Sequence, residues 1–236
     1  IQRLRKVLLA GQIIQSHALH FFFLAAPDYI GLDNALELAD KKPEVFKIAL
    51  ALKELGDDIV RTIGGRQVHP VTPQVGGFTK KFDKKDLLDL KKRIEGNMHF
   101  ALETLDLAGK FKYPDFENET QNFALTNWEK YAFLNGKITS NTGLKTDIQN
   151  YELNIKEKVM EYSSAKHATH NKESFMVGAL SRVNLQTEKL NPKARAAAKK
   201  IKQISLPSYN PFHINFAQAV EIVHFMEEAV QCLDSL

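Results

Sequence analysis

Two histidines, His17 and His20, are the residues whose types and spacing first suggest chemistry. They lie three positions apart in a stretch without proline, so on a helix they would share a face and could both bind one metal ion. No Cys, Asp or Glu stands near them in the sequence, so two histidines hydrogen-bonded within a helical bundle explain the pattern better. Ser16, four positions before His20, would line the same wall of a pocket.

Near the C-terminus, Glu221 and His224 have the Glu-x-x-His spacing of di-iron carboxylate bundles. Such a site needs two copies of the motif and the sequence has one, so we interpret the two residues as an exposed pair. The single cysteine, Cys232, follows Phe225 and Ala229 at helical spacing, which predicts a packed apolar residue rather than an activated thiolate. One cysteine excludes an internal disulfide and is typical of a reducing cytosol.

Composition and charge narrow the class of protein. The 236 residues are 44% hydrophobic and 25% charged, as in an ordinary globular chain with a buried core. The net charge of +4 comes with basic clusters at 80–93 and 193–202. Aspartates interrupt the first cluster and neither has aromatic stacking partners, so we expect solvated helix faces and no nucleic-acid binding. The apolar run 21–26 is too short to span a bilayer, and we expect no membrane insertion.

The first 110 residues have the periodicity of long helices, and proline, glycine and aspartate mark where these helices begin and end. Pro27 is predicted to stop the first helix, Pro43 to start the second, and Asp83 to start the third. The stretch 66–82 is long for a loop without periodicity, which is typical of functional loops. The predicted helices are 2–26, 43–64 and 83–109.

In residues 111–190 the sequence pattern changes from that of long helices to one that includes strands. Asn135-Gly136, in the middle of 131–140, predicts a β-hairpin with a two-residue turn, because this pair suits positive backbone angles. A short strand is predicted within 175–180. Two further helices are predicted at 193–204 and 211–236.

The elements together predict a mainly α fold, a long-helix bundle with a small β hairpin or sheet excursion. We expect one domain over residues 1–236. Within it, 1–110 would form a helical half with a glycine-rich loop, 111–190 a mixed α/β excursion, and 191–236 the C-terminal helices.

Four segments, in this order, resemble segments of nickel–iron hydrogenase large subunits. Gln15–Asp28 resembles the histidine helix of that family, and Ile63–Gly77 resembles its Gly-Gly-Lys/Arg…His-Pro…Gly-Gly loop. Phe175–Leu185 is similar to the Val-Gly-Pro-Leu-Ala-Arg segment, with Ala179 where proline is usual, and Asn210–His224 is similar to a late helix. The order of the four segments identifies the chain as similar to the central portion of such a large subunit.

The resemblance implies an oxidoreductase that interconverts H₂ with protons and electrons at a nickel–iron centre. In the family, four cysteines hold this centre, two in a Cys-x-x-Cys near each end of the subunit. The sequence contains none of these cysteines and begins at Ile1 rather than Met. We therefore expect a central fragment without the metal-binding ends, which supplies scaffold, binds no nickel or iron, and is inactive alone.

The resemblance also assigns roles to individual residues. His17 and His20 match the helix histidines that pack near the metal site, and Ser16 stands where many membrane-associated relatives carry Asp. Arg66 and His69 match a loop expected to lie towards the iron–sulfur small subunit. This combination looks most like the cytosolic, bidirectional, nicotinamide-linked branch, which implies a cytoplasmic hetero-oligomer with flavin- and nicotinamide-linked electron-transfer subunits. A ligand-less, hydrogenase-derived scaffold subunit of a respiratory-type complex remains the alternative.

Overall fold

The chain divides into two compact units in a computed structural model that describes residues 1–236. Unit 1 consists of Ile1–Tyr113, Asn191–Gln203 and Gln218–Leu236, and unit 2 consists of Pro114–Leu190 and Ile204–Ala217. The first two boundaries lie close to the predicted ones after residues 110 and 190, but 204–217 joins unit 2 rather than the C-terminal helices. The single domain remains a prediction.

The predicted mainly α fold class is confirmed, because helices outweigh eight short strands. The helices are α1 (Gln2–Leu19), α2 (Ala26–Ile30), α3 (Glu37–Lys41), α4 (Pro43–Gly64), α5 (Lys84–Gly96), α6 (Met98–Lys110), α7 (Tyr151–Asn154), α8 (Ala179–Gln186), α9 (Pro192–Lys200) and α10 (Ile214–Asp234). The strands are β1 (Pro73–Gln74), β2 (Gly77–Phe78), β3 (Gln121–Thr126), β4 (Lys137–Ser140), β5 (Lys145–Thr146), β6 (Lys156–Lys158), β7 (His167–Thr169) and β8 (Phe175–Met176).

The first helix does not stop at Pro27, and that prediction is wrong. A π-helical segment, His20–Ala25, carries the chain from α1 into α2, and Pro27 lies in the first turn of α2. The Ala26 N–H at the start of α2 bonds to the Phe21 carbonyl oxygen, and proline is tolerated at the next position because it lies in the first turn of α2. Gly31, with a φ of 73°, ends α2 in the left-handed region.

The stretch Gln2–Ile30 is long and apolar enough to cross a membrane by length and composition alone. Half of its most apolar window is buried inside the protein, and a core helix of a globular domain meets the same criterion.

The second and third helices begin where predicted. Pro43 lies in the first turn of α4, and the Asp83 side chain accepts a hydrogen bond from the Lys85 N–H at the start of α5. The third helix is broken, however, because Asn97 leaves the helical conformation and its side-chain amide caps the carbonyl of Arg93 at 2.8 Å. Gly109 does not end α6 but lies inside it, where a Cβ would come within 2.8 Å of the Ile201 side chain.

In unit 1, α1 and α4 approach so closely that glycine is required on both. A Cβ on Gly11 would lie 2.5 Å from Cγ2 of Ile59, and a Cβ on Gly56 would lie 2.5 Å from the backbone nitrogen of Gln15. Such distances are well inside van der Waals contact, so a larger residue must push the helices apart. The two glycines therefore fix the position of α1 on α4.

Two buried carboxylates on α4 add polar contacts to this packing. The Gln15 side-chain amide donates to Asp57, which connects α1 with α4. The neighbouring Asp58 forms ion pairs with Arg61 on its own helix and with Arg93 on α5. Asp57 and Asp58 are 6% and 5% exposed, and a buried carboxylate needs such partners because removing it from water is costly.

Unit 2 contains a four-stranded sheet with the order β5-β4-β3-β8, in which β3 pairs antiparallel with β4 and parallel with β8. The predicted two-residue turn at Asn135-Gly136 is wrong. Thr126 is paired with Lys137, so residues 127–136 all belong to the connection between β3 and β4. Gly136 serves close approach instead, because a Cβ there would lie 2.5 Å from the Thr126 carbonyl oxygen.

We expect Gly56→Ala to lower the free energy of unfolding by about 1–3 kcal/mol, because the added methyl group meets backbone atoms that cannot rotate away. Gly96→Ala is the matched control, since nothing lies within 4 Å of a Cβ at that position. Urea unfolding followed by circular dichroism measures both variants. Equal stabilities for the two variants would contradict the close approach of α1 and α4.

Candidate functional site

The buried polar side chains of unit 1 meet where α1 faces α10. Nε2 of His17 lies 2.7 Å from Oε2 of Glu221, and Nδ1 of His20 lies 2.8 Å from Oε1 of Gln218. The two histidines are three positions apart, and so are their two partners. The earlier histidine pairs with the later partner, so the helices run antiparallel. Two antiparallel helices thus contact each other through two matched hydrogen bonds.

Glu221 has no exposed surface, and His17 is 7% exposed. The predicted exposed Glu221–His224 pair is therefore wrong, because both residues are buried and they face different partners. A fully buried carboxylate is stable only when it is hydrogen-bonded or paired with charge, and His17 supplies that bond. The pair is a strong constraint on how α1 and α10 can pack.

His224, three positions after Glu221 on α10, is held as a neutral ring. Its Nδ1 accepts a hydrogen bond from the Asn191 N–H at 3.0 Å, which places the proton of the neutral ring on Nε2. Burial lowers the pKa of His224 to about 4, against the opposing influence of Glu228 and Glu221. His224 therefore contributes a polar anchor and no positive charge near neutral pH.

Glu227 caps a neighbouring helix. Its two carboxylate oxygens accept hydrogen bonds from the N–H groups of Lys193 and Ala194, at 3.0 and 2.9 Å, in the first turn of α9. A carboxylate at a helix N-terminus is favoured by the unpaired N–H groups and by the helix dipole. Two carboxylates of α10 thus bind different helices of unit 1, since Glu221 bonds to α1 and Glu227 to α9.

The predicted site residues are distributed over two places. His17 is buried and His20 is half-buried, and both contact α10, whereas Ser16 is exposed. Arg66 and His69 lie together on the exposed loop after α4, where the Arg66 Nε–H donates to the His69 carbonyl oxygen at 2.6 Å. His69 has a φ of 53°, an unusual conformation for a residue with a side chain. The roles predicted for these five residues stay predictions.

Sequence reasoning missed Gln218 and Glu221 as the partners of the two histidines. The signal was present, because the spacing of three in His17 and His20 is repeated in Gln218 and Glu221. Periodicity within one helix does not reveal which distant helix packs against it, so the match became visible only in the structure.

The residues of this chain do not fit the ligand set of a nickel–iron centre. Such a centre is built on soft thiolate ligands, and Cys232 is the one thiol in the sequence. Cys232 lies buried in α10, and no group of three or more His, Cys, Asp or Glu side chains converges anywhere in the chain. The histidines near α10 are thus positioned by hydrogen bonds within the protein.

Comparison with known proteins identifies relatives of the chain. No protein-family model matches the sequence. The alpha subunit of sulfhydrogenase 1 from Pyrococcus furiosus is 36% identical, and the match covers 99% of this chain and 55% of that protein. One subunit of the F420-non-reducing hydrogenase vhu from Methanocaldococcus jannaschii is 28% identical, over 97% of this chain and 60% of that protein. The beta subunit of the NAD-reducing hydrogenase HoxS from Cupriavidus necator is 21% identical, over 98% of this chain and 54% of that protein.

Solved structures share the fold. An NAD⁺-reducing nickel–iron hydrogenase in the H₂-reduced state superposes with a TM-score of 0.86 at 20% identity, covering 99% of this chain and 58% of that one. The nickel–iron–selenium hydrogenase of Dm. baculatum gives a TM-score of 0.74 at 17% identity, and the match covers 99% of this chain and 61% of that one. The relatives are named as hydrogenase subunits, and the solved structures that share the fold are hydrogenases. The chain is similar to hydrogenase subunits over nearly its whole length, and it spans a little over half the length of the relatives it matches.

We expect the stability of the protein to fall as the pH decreases from about 6.5 to about 4 through His224. In this window the unfolded chain protonates His224 and the folded chain does not, which costs about 1.4 kcal/mol per pH unit. Above about pH 6.5 the folded and unfolded chains both have a neutral His224, so its contribution to the free energy of unfolding is fully present. His224→Asn keeps an acceptor for the Asn191 N–H but does not titrate.

Urea unfolding of both proteins across this window isolates the effect, because all other groups titrate in both. The His224→Asn variant should lose less stability on acidification than the wild type. Parallel stability curves would contradict a neutral, buried His224.

Proposed function

We propose that this chain forms the central scaffold of a nickel–iron hydrogenase large subunit, which belongs to an oxidoreductase that interconverts H₂ with protons and electrons. The observation that carries the proposal is the sequence match to hydrogenase subunits over nearly the whole chain, at up to 36% identity. The matched fold of nickel–iron hydrogenases supports it. In the complete protein the nickel–iron centre supplies H₂ cleavage.

The chain's own residues position other groups in this proposal. His17 and His20 would form one wall beside the metal site, and Ser16 would lie at its exposed edge. Hydrogen bonds from α10 hold the rings of His17 and His20 in place, at 2.7 and 2.8 Å. Groups around a metal site orient its ligands and exclude water from it, so precise support of such side chains is chemically useful.

The loop after α4 is proposed as part of the contact with an iron–sulfur small subunit. Beside Arg66 and His69 it exposes three valines, of which Val75 is fully exposed and Val68 and Val71 are more than half exposed. An apolar surface rimmed by polar groups is typical of a protein interface. Electrons would leave through this partner to flavin- and nicotinamide-linked subunits, in a soluble, cytoplasmic complex.

We expect the 236-residue chain, purified after expression with nickel, to contain no stoichiometric nickel and to catalyse no H₂-dependent reduction of a viologen dye. The complete reading frame should encode a Cys-x-x-Cys on both sides of this segment. The full-length protein, matured with its small subunit, should bind nickel and reduce the dye. The physical reason is that the centre is held by four thiolates, and these residues include one cysteine, the buried Cys232.

Elemental analysis and a dye assay under H₂ measure these outcomes on both proteins. A reading frame with no Cys-x-x-Cys on either side would contradict the hydrogenase proposal and favour the ligand-less scaffold of a respiratory-type complex. Stoichiometric nickel in the short chain would contradict the expected ligand set.

A further inference from the structure

Unit 2 contains a solvent-facing cleft of about 640 Å³ that has no part in the function proposed above. A second cavity of about 570 Å³ adjoins it, because Gln121, Thr142 and Glu173 line both. The side chains that line the larger cleft are all polar, and its charged members are the carboxylates of Glu119 and Glu173. Neither cavity is lined by Lys or Arg, so the combined site is negatively charged within a chain of net charge +4.

A tight turn brings a histidine and a carboxylate together at this site. His170 and Glu173 form an antiparallel bridge with two backbone hydrogen bonds of 3.0 Å, and Asn171 and Lys172 form the turn between them. Both turn residues have positive φ, 52° and 68°, as a type I′ turn requires. Directly opposite residues of a bridge project to the same face, so the side chains of His170 and Glu173 point the same way.

Gln121 connects these two side chains, and its orientation is determined. Its amide nitrogen donates to Oε2 of Glu173 at 2.7 Å, since a carboxylate oxygen can only accept. The amide oxygen therefore faces Nδ1 of His170, at 2.8 Å, and accepts the proton of that nitrogen. With its proton on Nδ1, the His170 ring keeps the lone pair of Nε2 as a further acceptor. Gln121 and His170 are 9% and 8% exposed, and Glu173 is exposed but is held by its hydrogen bond to the buried Gln121.

We propose that this cleft binds a primary ammonium ion, with Glu173 as its principal acceptor. An ammonium group carries one positive charge and three N–H donors, which match an acceptor-rich site without a cation of its own. Anions are disfavoured because no basic side chain lines the cleft. A divalent metal ion is disfavoured because no three carboxylate, histidine or cysteine side chains converge there. The ammonium could come from a free diamine or from a lysine of a partner chain.

The test is a titration of the ¹⁵N-labelled 236-residue chain with 1,4-diaminobutane and, separately, with Nα-acetyl-lysine amide. Saturable shifts of the Gln121 side-chain amide are expected, with a Kd of about 1 mM or below for at least one probe. The Glu173→Gln variant should bind about tenfold more weakly, because it loses a charge-assisted hydrogen bond. Glu161→Gln is the matched control, since Glu161 is exposed and does not line either cavity.

Tighter binding of the diamine would assign the site to a free polyamine, and tighter binding of the lysine derivative would assign it to a partner chain. The proposal is overturned if neither probe gives saturable shifts up to about 20 mM, well above the affinity expected of a specific site. It is also overturned if sodium chloride at equal ionic strength gives the same shifts, or if Glu173→Gln binds as the wild type does. An unchanged amide spectrum of the variant away from the cleft shows that it is folded. These outcomes do not depend on whether the complete protein is a hydrogenase.

Discussion

The hydrogen bond between His17 and the fully buried Glu221 is the interaction on which the arrangement of unit 1 depends. The two residues are separated by 204 positions in the sequence, and they connect the first helix with the last. Leaving the carboxylate buried without a partner would cost several kcal/mol, so alternative registers of α10 on α1 are strongly disfavoured. The neighbouring His20–Gln218 bond reinforces the same register.

The first helix is constrained on two faces by different physical requirements. One face carries Gly11 and approaches α4 so closely that no side chain fits. Another carries His17 and His20, which require polar partners at fixed positions on α10. A helix held by steric contact on one side and by directional hydrogen bonds on the other has little freedom to shift. Such rigidity is what a scaffold beside a reactive centre needs, because small displacements of supporting groups impair catalysis.

Local signals in the sequence predicted the starts of helices well. Pro43 and Asp83 act on the turn in which they stand, so their meaning does not depend on distant residues. The helix end predicted from Pro27 and the turn predicted from Asn135-Gly136 were wrong, because each of these signals fits more than one structure. A proline in the first turn after a π-helical segment breaks nothing, and Gly136 is needed for its small size rather than for a turn.

The site was harder to predict than the fold. The spacing of His17 and His20 indicated a shared face, but Glu221 was predicted to be exposed because nothing local marks a helix as buried by a partner some 200 residues away. The resemblance to hydrogenase large subunits became evident for a different reason, since the order of several segments along the chain carries information that no single spacing does. The array around His170, Gln121 and Glu173 has no sequence signal, because a cross-strand bridge and β3 assemble it.

The most direct test of this account is a double-mutant cycle between His17 and Glu221, measured by urea unfolding. His17→Phe removes the hydrogen bond that His17 gives to this buried carboxylate and should cost about 3–5 kcal/mol. Adding Glu221→Leu should restore much of that loss, which gives a coupling energy on the order of 2–3 kcal/mol. If the two substitutions are additive to within about 0.5 kcal/mol, the pair does not hold α1 and α10 together and the central claim is wrong.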